Sequence, residues 1–399
     1  MTERSTYSGP AILSYGFRPF FMAACLFALV AVPFWMLIWR GDRELHSVLS
    51  PADWHSHEMI FGYGGAVVAG FLFTAVPNWT GRMPARGWPL FLMLLLWLLG
   101  RLAVLGVLPL SWGAVTAVDN AFLVVLAVLI AREIIAGRNW RNLMVLGPVG
   151  LLGLANILFF AEAAMFGQAE VGRRLGLALL IFLVLLIGGR ILPSFTRNWL
   201  NQEGANKLPA PFGRFDRVSL LIAAPALAGW VIWPATLAAA FLLLAAGFLQ
   251  SVRLGRWRGL ATLRNPILAM LHAAFVFAPL GMLANAAAAL DLLPREAGMH
   301  IWGIGAIGGM TVAVMMRATM GHTGRPLVSG PVLNLAFAGL LVSLAGRLWP
   351  YGELPGGITG LDLAALVWTL SFALLCWRLL PWLATERQGR KRPNPVRPA

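Results

Sequence analysis

Charge is scarce in this chain. Charged residues fill 12% of its 399 positions and hydrophobic ones 59%, where an average soluble domain carries roughly 25% charged and about 45–50% apolar residues. That shortage excludes an ordinary soluble fold, and many apolar runs of about 20 residues put the chain in a bilayer. Cysteine is scarcer still. Cys25 and Cys376 are the only two, and both sit inside apolar runs. A disulfide scaffold is therefore excluded, and the pair reads as buried structural thiols. No Cys-x-x-Cys-His, HExxH or Walker loop occurs, so covalent haem attachment and ATP-driven transport are not supported. No short, cleavable signal peptide is expected ahead of the first run. Acidic residues number 16 against 31 Lys and Arg, for a net charge of +15. In a soluble protein that excess would point to nucleic acid. Here the arginines lie mostly between apolar runs on one side, so the lipid bilayer is the expected partner and nucleic acid is not.

The pattern predicts an all-α fold, a polytopic transmembrane helix bundle of about twelve helices. They cover roughly 17–39, 55–78, 88–107, 114–135, 143–166, 174–194, 216–233, 235–252, 266–289, 300–320, 331–349 and 361–383. Only Trp233-Pro234 separates the seventh from the eighth. Loops after even-numbered helices hold most arginines, among them Arg82, Arg86, Arg138, Arg141, Arg197, Arg253, Arg256, Arg258 and Arg325. A basic tail, 385–399, ends the chain. Both termini are therefore expected to be cytoplasmic. His46, His55, His57 and His300 then fall toward the outer face and His322 at the inner face. His272 lies about 12 Å along helix nine from Arg264, at roughly 1.5 Å per residue.

What the sequence does have is a recurring plan. Trp54-His55-Ser56-His57-Glu58-Met59 opens the second helix and Pro77-Asn78-Trp79-Thr80-Gly81-Arg82 closes it. His300 opens the tenth and His322-Thr323-Gly324-Arg325 closes it, and the interval from His57 to Arg82 equals that from His300 to Arg325. Helix six ends Gly189-Arg190-Ile191-Leu192-Pro193-Ser194-Phe195-Thr196-Arg197, and Thr196 can be set beside Thr80 and Thr323. The single membrane domain, 1–399, then divides into three four-helix repeats at about 1–138, 139–260 and 261–399. An even number of helices per unit makes them parallel. Helices two, six and ten become equivalent and bring His57 and His300 close together.

Imidazole at a membrane helix end is a ready ligand for haem iron or copper, and the alternative is a histidine bonded to water or headgroups. The metal candidates are His57, His300, His55, His272 and His322. On one helix His55 and His57 point about 200° apart, since each residue turns roughly 100°. Asp53 is the expected N-cap there. Glu58 either orients a histidine or complements the helix N-terminus. His272 is the deepest histidine, and it either ligates a metal or bonds a backbone carbonyl. Arg18, Arg190 and Arg317 either snorkel or clamp haem propionates or an anionic substrate. Glu162, Asp119 and Asp362 are either proton relays or solvated carboxylates. Met310, Met315, Met316 and Met320 crowd helix ten as ligands or packing.

Gly16-Phe17-Arg18-Pro19-Phe20-Phe21, Trp54-His55-Ser56-His57-Glu58-Met59-Ile60-Phe61-Gly62, Pro77-Asn78-Trp79-Thr80-Gly81-Arg82 and Gly321-His322-Thr323-Gly324-Arg325-Pro326 resemble the NnrS family, from about residue 13 to about 348. The resemblance implies a polytopic bacterial inner-membrane protein containing haem (b-type) and copper, tied to denitrification and nitric oxide tolerance. It carries no ligand assignment. The expected function is binding of nitric oxide and protection against nitrosative stress, with reduction or other consumption as its enzymatic form. A quinol in the bilayer is then the candidate electron donor. The rival is a membrane transporter or channel for metal, haem or a nitrogen oxide species.

Overall fold

The computed structural model describes residues 7–350, 352–354 and 356–389. From residue 390 onward the expected basic tail lies outside the described residues. Among them, twelve helices are long and apolar enough to cross a membrane. They are α1 (Phe17–Trp39), α2 (Pro51–Thr80), α3 (Trp88–Leu105), α4 (Trp112–Ala136), α5 (Leu143–Phe166) and α6 (Val171–Gln202), then α7 (Arg214–Ile232), α8 (Leu237–Gly255), α9 (Pro266–Ala289), α10 (Arg295–His322), α11 (Gly330–Arg347) and α12 (Gly360–Ala384). A two-stranded ribbon, β1 (Glu353–Leu354) against β2 (Ile358–Thr359), precedes α12. The chain is an all-α, multi-pass membrane protein. Its outer surface is apolar at residues such as Val30, Leu92, Val128, Leu221, Phe248 and Leu366, as lipid contact requires.

Three helices are longer than hydropathy predicts. α2 begins at Pro51 because Ser50 accepts from the Asp53 backbone N–H at 3.2 Å and proline suits the first turn. Ser50 is therefore the N-cap, not Asp53, whose carboxylate lies one turn in and accepts from Ser50 at 3.0 Å. α10 begins at Arg295, following Pro294. α6 continues to Gln202 because its end is amphipathic, with Leu192, Thr196 and Leu200 buried one turn apart. A search for apolar length stops too early at such an end.

The break between α7 and α8 falls where Thr236 caps α8, accepting from the Ala239 N–H at 3.3 Å. α1 and α12 are tied at both ends and in the middle. Arg18 donates to the carbonyls of Leu383 at 2.8 Å and Thr385 at 2.5 Å. Trp368 donates to the Ala28 carbonyl at 3.0 Å, and Arg40 pairs with Asp362.

α2, α6 and α10 lie in the interior, and each contains a π-helical segment. These are Glu58–Tyr63, Val184–Gly188 and Ile301–Gly308. In α2 and α10 the segment starts one residue after His57 and His300 respectively. A π turn displaces carbonyls from the regular ladder, and inside a bilayer each needs another donor. Trp97 donates to the Gly62 carbonyl at 3.0 Å, Arg253 to the Leu185 carbonyl at 3.0 Å and Thr311 to the Gly308 carbonyl at 3.0 Å. Side chains from α3, α8 and α10 itself thus hold the three irregular segments in place.

Candidate functional site

His55 and His57 leave α2 in different directions, as helix geometry requires. The His55 ring stacks on Trp35 with centroids 4.2 Å apart and lies within electrostatic range of His300 and Arg347. His57 turns the other way, into a buried polar cluster built by α2, α3, α4 and α5. Its Nδ1 is 3.2 Å from Glu58 Oε1, and its Nε2 is 2.9 Å from Asn156 Oδ1 and 3.2 Å from Asp119 Oδ2. The Arg101 guanidinium bridges the two carboxylates, 2.7 Å from Glu58 Oε1 and also paired with Asp119. Asn156 donates to Asp119 Oδ2 at 2.7 Å. All five side chains are buried. Glycine at position 62 leaves the guanidinium its room, since a Cβ there would stand 2.3 Å from Arg101 Nη1.

The cluster has a definite electrostatic logic. Two carboxylates and one guanidinium leave one negative charge, in a region where unpaired charge is costly. Both ring nitrogens of His57 face acceptors, so an imidazolium donates on both sides and balances the set. Glu58 therefore orients the imidazole, and Asp119 is an internal ion-pair partner and not a solvated carboxylate. Arg101 and Asn156 were not among the candidates. Their signal in the sequence is a strongly polar residue inside an apolar run.

The expected juxtaposition of His57 with His300 is absent. His300 Nδ1 is 2.7 Å from the Glu296 carbonyl, and Arg347 Nε donates to its Nε2 at 3.1 Å. Of the two α2 histidines, His55 is the one within electrostatic range of His300 and Arg347. Neither His57 nor His300 has a ring nitrogen without a protein partner. Among the described residues, no group of three or more His, Cys, Asp or Glu could hold a metal ion. With both ring nitrogens of each already engaged, His57 and His300 offer no free imidazole nitrogen to a haem iron or a copper ion in this arrangement.

His272 and His322 lie toward the end of the bundle where the described chain starts and finishes. His272 Nε2 is 2.8 Å from Thr196 Oγ1, a hydroxyl and not the backbone carbonyl considered from the sequence, while its Nδ1 is buried with no protein partner. Beside Thr196, the Phe195 ring carries the Arg317 guanidinium at 3.8 Å, and Arg317 Nε and Thr319 Oγ1 are also buried without partners. Arg190 lies 3.4 Å from Asn142 Oδ1. Among the described residues, His272 Nδ1, Arg317 Nε and Thr319 Oγ1 are a buried imidazole nitrogen, guanidinium N–H and hydroxyl without a protein partner, so His272 and Arg317 suit the ligand and counter-ion needs of a haem better than His57 and His300 do. His322 stacks with Tyr15 at 5.7 Å and packs on Phe17 at 5.3 Å, separate from His272. Burial raises the pKa of the Tyr15 phenol, which lies ahead of α1. Arg18 is spent on the end of α12. Glu162 accepts from the Val171 and Gly172 N–H groups at 3.2 and 2.8 Å, and Asp362 accepts from the N–H of the N-cap Thr359 at 3.0 Å in the capping box of α12, so both serve helix starts.

A cavity of about 80 Å³ lies where α2, α6 and α10 meet. Val67, Leu180, Ile187, Met310, Thr311 and Val314 are among its lining residues. Its one hydroxyl is Thr311 Oγ1, 2.6 Å from the Tyr63 hydroxyl. Gly188, also in the lining, packs on Phe275, one turn along α9 from His272. With a water molecule's share of liquid volume about 30 Å³, the space admits a few small molecules and is far too small for a haem.

No curated protein matches the chain. The family model for NnrS protein matches residues 11–387, nearly the whole chain. With twelve membrane-spanning helices and that match, the chain belongs to the NnrS family of nitric-oxide-related membrane proteins.

Proposed function

We propose that this protein holds haem and copper in the bacterial inner membrane, with both termini cytoplasmic, and binds nitric oxide as a protection against nitrosative stress. The observation that carries the reading is the cavity between α2, α6 and α10, apolar but for Thr311 and sized for a diatomic ligand. Nitric oxide is uncharged and partitions into lipid, so an apolar space at membrane depth is where it would collect. His272 is the residue to hold haem iron, with Arg317 and Arg190 as cationic partners for the propionates. Haem supplies an iron that takes a diatomic ligand. The chain supplies the rest: Thr196 fixes the His272 ring, and Tyr63 and Thr311 offer the cavity a hydroxyl. Consumption by reduction would draw electrons from a donor such as a quinol and protons from groups like the His57 cluster.

The test is an optical spectrum of the detergent-purified protein, oxidised and dithionite-reduced, before and after anaerobic nitric oxide, with metal analysis on the same sample. The expected result is a Soret band that shifts with nitric oxide, lost in His272→Ala and kept in His57→Ala. Loss of the band in His57→Ala with His272→Ala intact would return the haem to the outer half. One observation favours a transporter or channel instead: the charged cluster of Glu58, Arg101, Asp119 and His57 buried between four helices. A purified protein free of haem and copper would decide for that reading.

A further inference from the structure

α10 ends in a turn that favours glycine. Gly324 has φ 77°, the Arg325 N–H donates to the Met320 carbonyl at 2.9 Å, and the Gly324 N–H donates to the Gly321 carbonyl at 3.4 Å. This left-handed cap folds Arg325 back against α12. The chain beyond α12 laces the turn in place, with the Gln388 N–H donating to the Thr323 carbonyl at 2.9 Å. Arg325 then lies over the Trp382 ring, its Cζ 5.1 Å from the centroid, and donates to the Thr385 hydroxyl at 3.3 Å. Arg378, one helical turn before Trp382, lies over the same ring at 4.5 Å.

Two guanidiniums thus share one indole. Among the described residues neither is paired with a carboxylate, and Arg325 Nη1 is buried with no partner. Glu386, the acidic residue nearest along the chain, is exposed and lies within electrostatic range of Arg18. Burial and the Arg378 charge both push the Arg325 pKa below its ordinary value, so the two cations repel each other where they stand. An anion between them would cancel that repulsion and give Arg325 Nη1 its acceptor. The forked N–H groups of arginine match the paired oxygens of a phosphate.

The surroundings select the source of that phosphate. Trp377 precedes Arg378, Leu327 and Val328 follow Arg325, and all three are exposed. Tryptophan favours the membrane–water interface. A phosphate carrying acyl chains would cover these apolar side chains, and a free phosphate would leave them bare. We infer that Arg325 and Arg378, held on the Trp382 ring, bind the phosphate of an anionic phospholipid at the end of the bundle where the described chain starts and finishes. The lipid would tie α10 to α12, and the argument is independent of the nitric oxide reading.

The full-length protein in detergent, stripped of co-purified lipid, is titrated with dioleoyl phosphatidylglycerol, dioleoyl phosphatidylcholine and sodium phosphate, and bound lipid is counted by native mass spectrometry. One phosphatidylglycerol per chain is expected, with phosphatidylcholine bound more weakly. Arg325→Gln and Arg378→Gln should each weaken phosphatidylglycerol binding by about tenfold or more, beyond the roughly fivefold that one surface arginine's general attraction to an anionic membrane supplies. Arg264 is an exposed arginine at the same end and outside the pair, so Arg264→Gln should stay within roughly that fivefold. Arg378 is exposed as well, so its variant tests the site in a protein that still elutes monodisperse. Equal binding of the two lipids, or a loss in Arg264→Gln as large as in Arg378→Gln, would reduce the pair to general surface charge and overturn the site. Displacement of the lipid by sodium phosphate would assign the pair to a free phosphate and overturn the lipid.

Discussion

Removing Arg101 from the His57 cluster should destabilise the whole bundle. Its guanidinium pairs with both Glu58 and Asp119, and each partner is almost wholly buried. In Arg101→Met the stem is conserved and the charge is lost. Two carboxylates then share one imidazolium at membrane depth. Breaking a buried ion pair in this way costs about 3–5 kcal/mol, and the two pairs share a partner, so their costs do not simply add. At roughly 2–4 °C per kcal/mol for larger domains, the midpoint of thermal unfolding should fall by about 6–20 °C. Thermal unfolding in detergent, followed by size-exclusion recovery, reads this directly. The triple variant Arg101→Met, Glu58→Gln, Asp119→Asn removes the orphaned charges and should recover more than half of the loss. A single variant that melts with the wild type would refute the reasoning, because it would mean that water reaches the cluster and screens it.

Arg18→Ala should free the end of α12. Two carbonyls, Leu383 and Thr385, lose a charged donor, at about 1.5–3 kcal/mol for such a bond, so amide exchange across 383–388 should accelerate. Unchanged exchange there would show that the end is held by other contacts. Gly281→Ala should separate α9 from α10, because a Cβ would stand 2.2 Å from the Trp302 ring, whose indole donates to the Ala278 carbonyl at 2.9 Å. Overpacking of this kind costs about 1–3 kcal/mol, and a melting point equal to that of the wild type would count against so tight an approach.

The spans were legible because the signal is local. α1, α5 and α9 run over the residues that apolar length predicts, since a bilayer demands a continuous apolar stretch and a helix satisfies its own backbone. Helix ends governed by other forces were less legible. Ser50 and Pro51 start α2 earlier than hydropathy does, and the amphipathic end of α6 outlasts its apolar stretch. At the sites, the residue types were readable and their partners were not. Glu58 beside His57 could be named from the sequence as an orienting carboxylate, but Arg101 and Asn156, which complete the cluster, come from other helices. Cys25 was read as a structural thiol, and nothing in its local sequence shows that it meets Met315.

The sequence by itself determined that this is a membrane bundle of about twelve helices, where its histidines and intramembrane arginines fall, and its membership of the NnrS family through motifs at the helix ends. Those properties depend on apolar run length and on short stretches of neighbouring residues. Only the tertiary structure decided that His57 joins Asp119 and Asn156 while His55 lies within electrostatic range of His300, that His272 keeps a free buried nitrogen, and that Cys25 meets Met315. Each of these turns on how a helix is rotated about its axis and which neighbour it meets. A step of one residue moves a side chain by about 100°, so pairings between helices follow from packing among distant segments and not from spacing along the chain.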